Sequence, residues 1–66
     1  DHRGKQRVYL TICHRPSNEF LLANVPIIGE ESNGAGHYIF HQENGQMFEA
    51  DLRKNDYRII RQKVRE

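Results

Sequence analysis

The dipeptide Asn44-Gly45, inside HYIFHQENGQMFEADL (residues 37–52), constrains this chain more than any other feature. Asn-Gly between two apolar runs is the strongest short-range hairpin signal, because both residues tolerate the positive φ that tight turns require. Two registers compete, and a one-residue slip between them exchanges the inward and outward side chains. A two-residue loop sets Phe40 against Glu49 and Tyr38 against Asp51. A three-residue loop, Glu43-Asn44-Gly45, ends with Gly45 in the left-handed region and pairs Phe40 with Phe48 and Tyr38 with Ala50. The second register gathers the apolar groups, with Leu52 continuing their face. It leaves His37, His41, Glu49 and Asp51 on the other side, and we adopt it.

That register decides what the histidines can do. On a strand, His37 and His41 stand about 13 Å apart, four residues at ~3.3 Å each. A single zinc ion with bonds of ~2 Å to each nitrogen does not span that gap. Cys13 and His14 are neighbours in sequence, so on a strand they point to opposite faces. No metal site and no cofactor is expected. His37 is expected to face Asp51 across the hairpin on a solvated face.

A second hairpin is legible upstream. RVYLTICH (7–14) and EFLLANV (19–25) flank RPSN, in which Pro16 presets a turn and Ser17-Asn18 suit its remaining positions. Pairing His14 with Glu19 places Val8, Leu10, Ile12, Leu21, Ala23 and Val25 on one face. The opposite face carries Tyr9, Thr11, Cys13, Phe20, Leu22 and Asn24, and is too apolar to be simply wet. Beyond it, Pro26 argues against a central strand, and Gly29, Gly34 and Gly36 mark turns. Residues 29–36 are expected to form a mobile acidic loop around Glu30 and Glu31. Its NGAG stretch lacks the Lys and Ser/Thr of a phosphate loop.

The last segment, NDYRIIRQKVRE, reads two ways. A strand suits its β-branched content and Tyr57, with Ile60 and Val64 on one side and Ile59 on the other. A helix capped by Asn55 or Asp56 would stack Tyr57, Ile60 and Val64. The strand is preferred. The expected fold is therefore all-β, a small antiparallel barrel or roll of about five strands, SH3-like or OB-like. The alternative is α+β, an antiparallel sheet with a C-terminal helix.

With 66 residues the chain is expected to be one domain, with residues 1–6 a flexible basic arm. A chain this short buries only about 60% of its unfolded surface, so self-association or a parent protein is expected to help. Its start at Asp1 rather than Met points to a processed product or an excised domain. The single Cys13 excludes an internal disulfide framework and favours a reducing, intracellular setting, cytoplasmic or nuclear. No apolar run approaches the roughly 20 residues that span a bilayer, so no membrane partner is expected.

Charge is segregated along the chain. Residues 1–15 carry net +3, residues 16–52 hold six acids and no Lys or Arg for net −6, and residues 53–66 carry net +4, together the formal +1. If the termini are adjacent, Arg3, Lys5, Arg7, Arg58, Arg61 and Lys63 merge into a positive surface of the kind that contacts phosphates. The sequence therefore points first to a non-catalytic nucleic-acid-binding module, DNA or RNA unresolved. Its alternative is a protein-interaction or self-assembly module, a homo-oligomer in the self-assembling case, using the apolar face around Tyr9, Phe20 and Leu22. No catalytic residue is assigned. Cys13 has no local nucleophile signature, and Glu49 and Asp51 lack a cleft.

Overall fold

The computed structural model describes residues 6–65. They form five strands: β1 (Gln6–His14), β2 (Glu19–Ser32), β3 (His37–Gln42), β4 (Met47–Asp51) and β5 (Tyr57–Arg65). All neighbours are antiparallel, in the order β4-β3-β2-β1-β5, within a single sheet. Gln6 opens β1, and the rest of the arm expected over residues 1–6 lies outside the described residues.

The β3–β4 hairpin adopts the three-residue loop. Phe40 pairs with Phe48 and Tyr38 with Ala50. Gly45 sits at φ 88° and its N–H donates to the Gln42 carbonyl at 3.1 Å. The β1–β2 hairpin begins in the expected register, His14 opposite Glu19 and Cys13 opposite Phe20, and then departs from it. Ile12 faces Leu22 and Leu10 faces Val25, so β2 gains one residue at each of two irregularities. Asn24 takes up the strain at φ 51°, with its N–H donating to the Thr11 hydroxyl at 3.1 Å. The first slip turns Leu22 onto the core and leaves Leu21 and Ala23 exposed, the reverse of the sequence expectation. The second slip restores parity by Val25. Bulges of this kind leave no mark in an alternating pattern, and Asn is the non-glycine residue that best tolerates left-handed backbone.

Pro26 lies inside a central strand, contrary to expectation. β2 is central only in a divided sense: Glu19–Ile27 pair with β1 and Ile27–Ser32 with β3. By the ladder's alternation, the Pro26 nitrogen faces away from β1, on the side that β3 has not yet reached, so no ladder bond is lost. Residues 29–32 of the expected loop belong to β2, and the connection to β3 is only 33–36.

The sheet is not closed into a barrel, which corrects the SH3-like or OB-like expectation. β4 and β5 are its two edges. The chain leaves β4 through a turn in which the Asp51 carbonyl accepts the Lys54 and Asn55 N–H groups at 3.3 and 3.0 Å. It then crosses to the far edge instead of running along β4. No helix occurs among the described residues, because the C-terminal segment pairs with β1 along all nine residues of β5. No helix of the described residues is therefore long and apolar enough to cross a membrane.

Curvature substitutes for a second layer. Leu10 and Ile12 of β1, Phe40 of β3 and Ala50 of β4 are fully buried in one cluster, supported by Leu22, Ile27, Tyr38, Phe48, Tyr57 and Ile59. The sheet still remains open. Its radius of gyration is 12.7 Å, against about 11 Å for a compact domain of this length.

With so small a core, single deletions weigh heavily. Ile12→Ala should cost ~2–5 kcal/mol, much of the ~3–10 kcal/mol available to a chain of this size. Urea denaturation should show it substantially unfolded in buffer. Gly45→Ala should lower the unfolding free energy by about 1–2 kcal/mol through left-handed strain. An unchanged urea midpoint would contradict the loop geometry.

Candidate interaction surfaces

The charge-segregated ends do meet, since β1 and β5 pair from Gln6 opposite Arg65 to His14 opposite Tyr57. Among the described residues they do not form one basic patch. Arg3 and Lys5 lie outside the described residues. Arg7 is ion-paired with Glu43. Arg61 donates two hydrogen bonds to Glu30, at 2.7 and 2.8 Å. Its guanidinium also lies 5.8 and 5.7 Å from the ring centroids of Tyr38 and Phe40. The hydrogen bonds that Arg61 donates to the Glu30 carboxylate push its pKa up, against a smaller opposing effect of partial burial. Arg58 and Lys63 are exposed, and neither has an ion pair among the described residues. They stand on opposite faces, because Arg58 is opposite Cys13 and Lys63 opposite Val8.

The acids of residues 16–52 thus neutralise bases from both ends of the chain. β5 is three strands from β3, about 14 Å in a flat sheet, so Arg61 reaches the rings of β3 only because the sheet curves. Arg61, a candidate phosphate contact by its place in the basic C-terminal segment, forms in the fold a clasp across the inner face. Nothing local could have revealed this, as Glu30 lies 31 residues away.

The apolar outer face is real but differently composed. Tyr9, Thr11 and Cys13 are half-buried, and Phe20 is 65% exposed opposite Cys13. Leu22 is absent from it, having turned to the core. β5 contributes Ile60 opposite Thr11 and Val64 opposite Arg7, 45% and 37% exposed. The period-2 reading of the last segment already put those two on one side. What it lacked was the pairing of β5 with β1 that carries them beside Tyr9 and Thr11.

The two histidines of the β3–β4 hairpin go separate ways. His37 is opposite Asp51 in register, but its ring contacts the diagonal Glu49 at 3.0 Å, and His41 contacts Glu31 at 2.5 Å. Asp51 instead accepts the Arg53 N–H at 3.0 Å. That bond holds its carboxyl below the usual 3.8, outweighing partial desolvation and reinforced by the Arg53 and Lys54 charges. A groove of about 690 Å³ has Val8, Ile27 and Ile28 along it, the Arg7–Glu43 and Arg61–Glu30 pairs beside it and Lys63 at its lining. No protein-family model, no curated protein and no solved structure matches this chain.

Arg61→Ala should lower stability by about 1–2 kcal/mol, a figure already discounted for the partial exposure of both partners. Arg61→Lys should recover little, since an ammonium lacks the planar fork. A double-mutant cycle with Glu30→Ala in urea should give a coupling free energy near 1 kcal/mol. A coupling of zero would remove the clasp. For Asp51 the depressed pKa means stabilisation that is present above 3.8 and lost as pH falls through the lower folded value. Thermal melts in acid should therefore show Asp51→Asn losing less stability than the wild type between about pH 4 and pH 2.

Proposed function

We propose that this chain is a non-catalytic protein-interaction module that self-associates through the outer face of β1, β2 and β5. One observation carries the reading: a single-layer sheet presents Phe20, Ile60 and Val64 to solvent around half-buried Tyr9 and Cys13. Sheets bury such faces against a second layer, and a second copy packed sheet on sheet supplies one. The resulting two-fold contact is self-complementary, so a single apolar patch suffices for both partners.

A nucleic-acid role is the second reading, favoured by Arg58, Lys63 and Arg65, which are exposed along β5 with no acid on that strand. It is the weaker one, because Arg7 and Arg61 are already engaged by Glu43 and Glu30. Phosphate contacts would make affinity fall steeply as salt rises.

Size-exclusion chromatography with light scattering separates the two. Wild-type protein should be a dimer whose mass falls to that of the monomer in Phe20→Asp, with the circular dichroism spectrum unchanged. Lys63→Glu with Arg65→Glu, both on the inner face, should leave the dimer intact. A monomeric wild type overturns the self-association reading. If that monomer also shifts with a short oligonucleotide and releases it at higher salt, the nucleic-acid reading replaces it.

A further inference from the structure

β5 is an edge strand of nine residues, and one hydrogen bond fixes which of its backbone groups are free. The Arg15 N–H donates to the Asp56 carbonyl at 2.9 Å, in step with the β1–β5 register. In an antiparallel ladder every second residue bonds to a given neighbour. Arg58, Ile60, Gln62 and Val64 therefore direct their N–H and C=O groups to β1. Ile59, Arg61, Lys63 and Arg65 direct theirs to the open side.

Side chains sort by the same parity. Ile59, Arg61 and Lys63 share the inner face with Ile12, Leu10 and Val8, their partners in register. Arg58, Ile60, Gln62 and Val64 share the outer face. The strand YRIIRQKVR holds four cations and no acid. Lys and Arg on an edge discourage pairing with another strand of the same kind, because like charges would stand opposite each other. The same charges select for an acidic strand, so they act as a filter and not only as a barrier.

We propose that the free edge of β5 is a β-addition site for an extended segment of a partner protein in which acidic and apolar residues alternate. Its acids lie opposite Lys63 and Arg65 on the inner face. Its apolar residues lie beside Ile60 and Val64 on the outer face. Main-chain hydrogen bonds to residues 59, 61, 63 and 65 supply affinity, and the alternation supplies specificity. Arg61 discriminates less than Lys63, being already bonded to Glu30. The proposal takes its partner class from the protein-interaction reading above. It uses the sheet's edge, which a sheet-on-sheet dimer leaves open.

The test uses a fluorescently labelled, end-blocked peptide of alternating Glu and Val, with binding followed by anisotropy. Two N-methylated versions accompany it, one methylated on every Glu and the other on every Val. Both keep the charge, but each lacks the N–H donors of one edge. In antiparallel addition the Glu amides face β5, so the Glu series should lose binding and the Val series should keep it. Lys63→Ala should weaken the unmodified peptide about tenfold, as expected for one lost charge-assisted contact. Lys63→Pro, which also removes an outward N–H without touching the bonds to β1, should weaken it further, with circular dichroism confirming the fold. Phe20→Asp should have no effect on peptide binding. Equal binding by both methylated series would mean charge attraction alone and overturn the proposal, as would no binding by the unmodified peptide. If the peptide fails while Phe20-dependent dimers persist, the edge proposal falls and the proposed function stands.

Discussion

Ile27 stands where β2 changes partners, opposite Val8 on one side and Gln42 on the other, and the bulge that follows bends the sheet there. The core depends on that bend. In a flat sheet, β1 and β3 would lie about 10 Å apart with β2 between them, and their inner side chains would face solvent. Curving the sheet brings Leu10 and Ile12 into one cluster with Phe40 and Ala50. Pro26 fits because it precedes the change of partner, where its nitrogen faces no strand. Ile28, at the bulge, is the most exposed large apolar residue among those described, at 72%. The local geometry is thus shaped by the bend at the expense of one side chain's burial.

Electrostatics reinforces the curvature. The chain carries its acids in the middle and its bases at the ends, and folding lays Glu30 and Glu43 against Arg61 and Arg7. The Arg61–Glu30 pair joins the outermost strand to β2 while the guanidinium lies over the rings of β3. It therefore opposes flattening of the sheet as well as neutralising two charges. The same arrangement governs what is left for partners: an apolar outer face, and an edge strand whose remaining cations are Arg58, Lys63 and Arg65.

Local signals in the sequence are faithful where one contact decides the outcome. Asn44-Gly45 specifies the β3–β4 register because only one loop length gathers Phe40, Phe48, Tyr38 and Ala50 on the same face. The alternation of Ile59, Ile60 and Val64 assigns their faces once the segment is known to be a strand. The sequence is silent where distant partners decide. The slip between Phe20 and Leu22 moves Leu22 inward, and the slip at Asn24 that restores parity is tied to Thr11 on another strand. Closure of the sheet depends on where the turn after Asp51 sends the chain. The pairing of Arg61 with Glu30 depends on curvature that no local pattern encodes. Contacts distant in sequence likewise draw Arg7 and Arg61 to Glu43 and Glu30 and turn Leu22 from the outer face to the core.

β5 is paired on one side only, at the open edge of a curved sheet. Amide hydrogen exchange followed by NMR tests it directly. The N–H groups of Arg58, Ile60, Gln62 and Val64 should be protected, and those of Ile59, Arg61 and Lys63 should exchange much faster. Uniform protection from residue 58 to residue 64 would instead mean a closed barrel or a helix, and would contradict the open sheet.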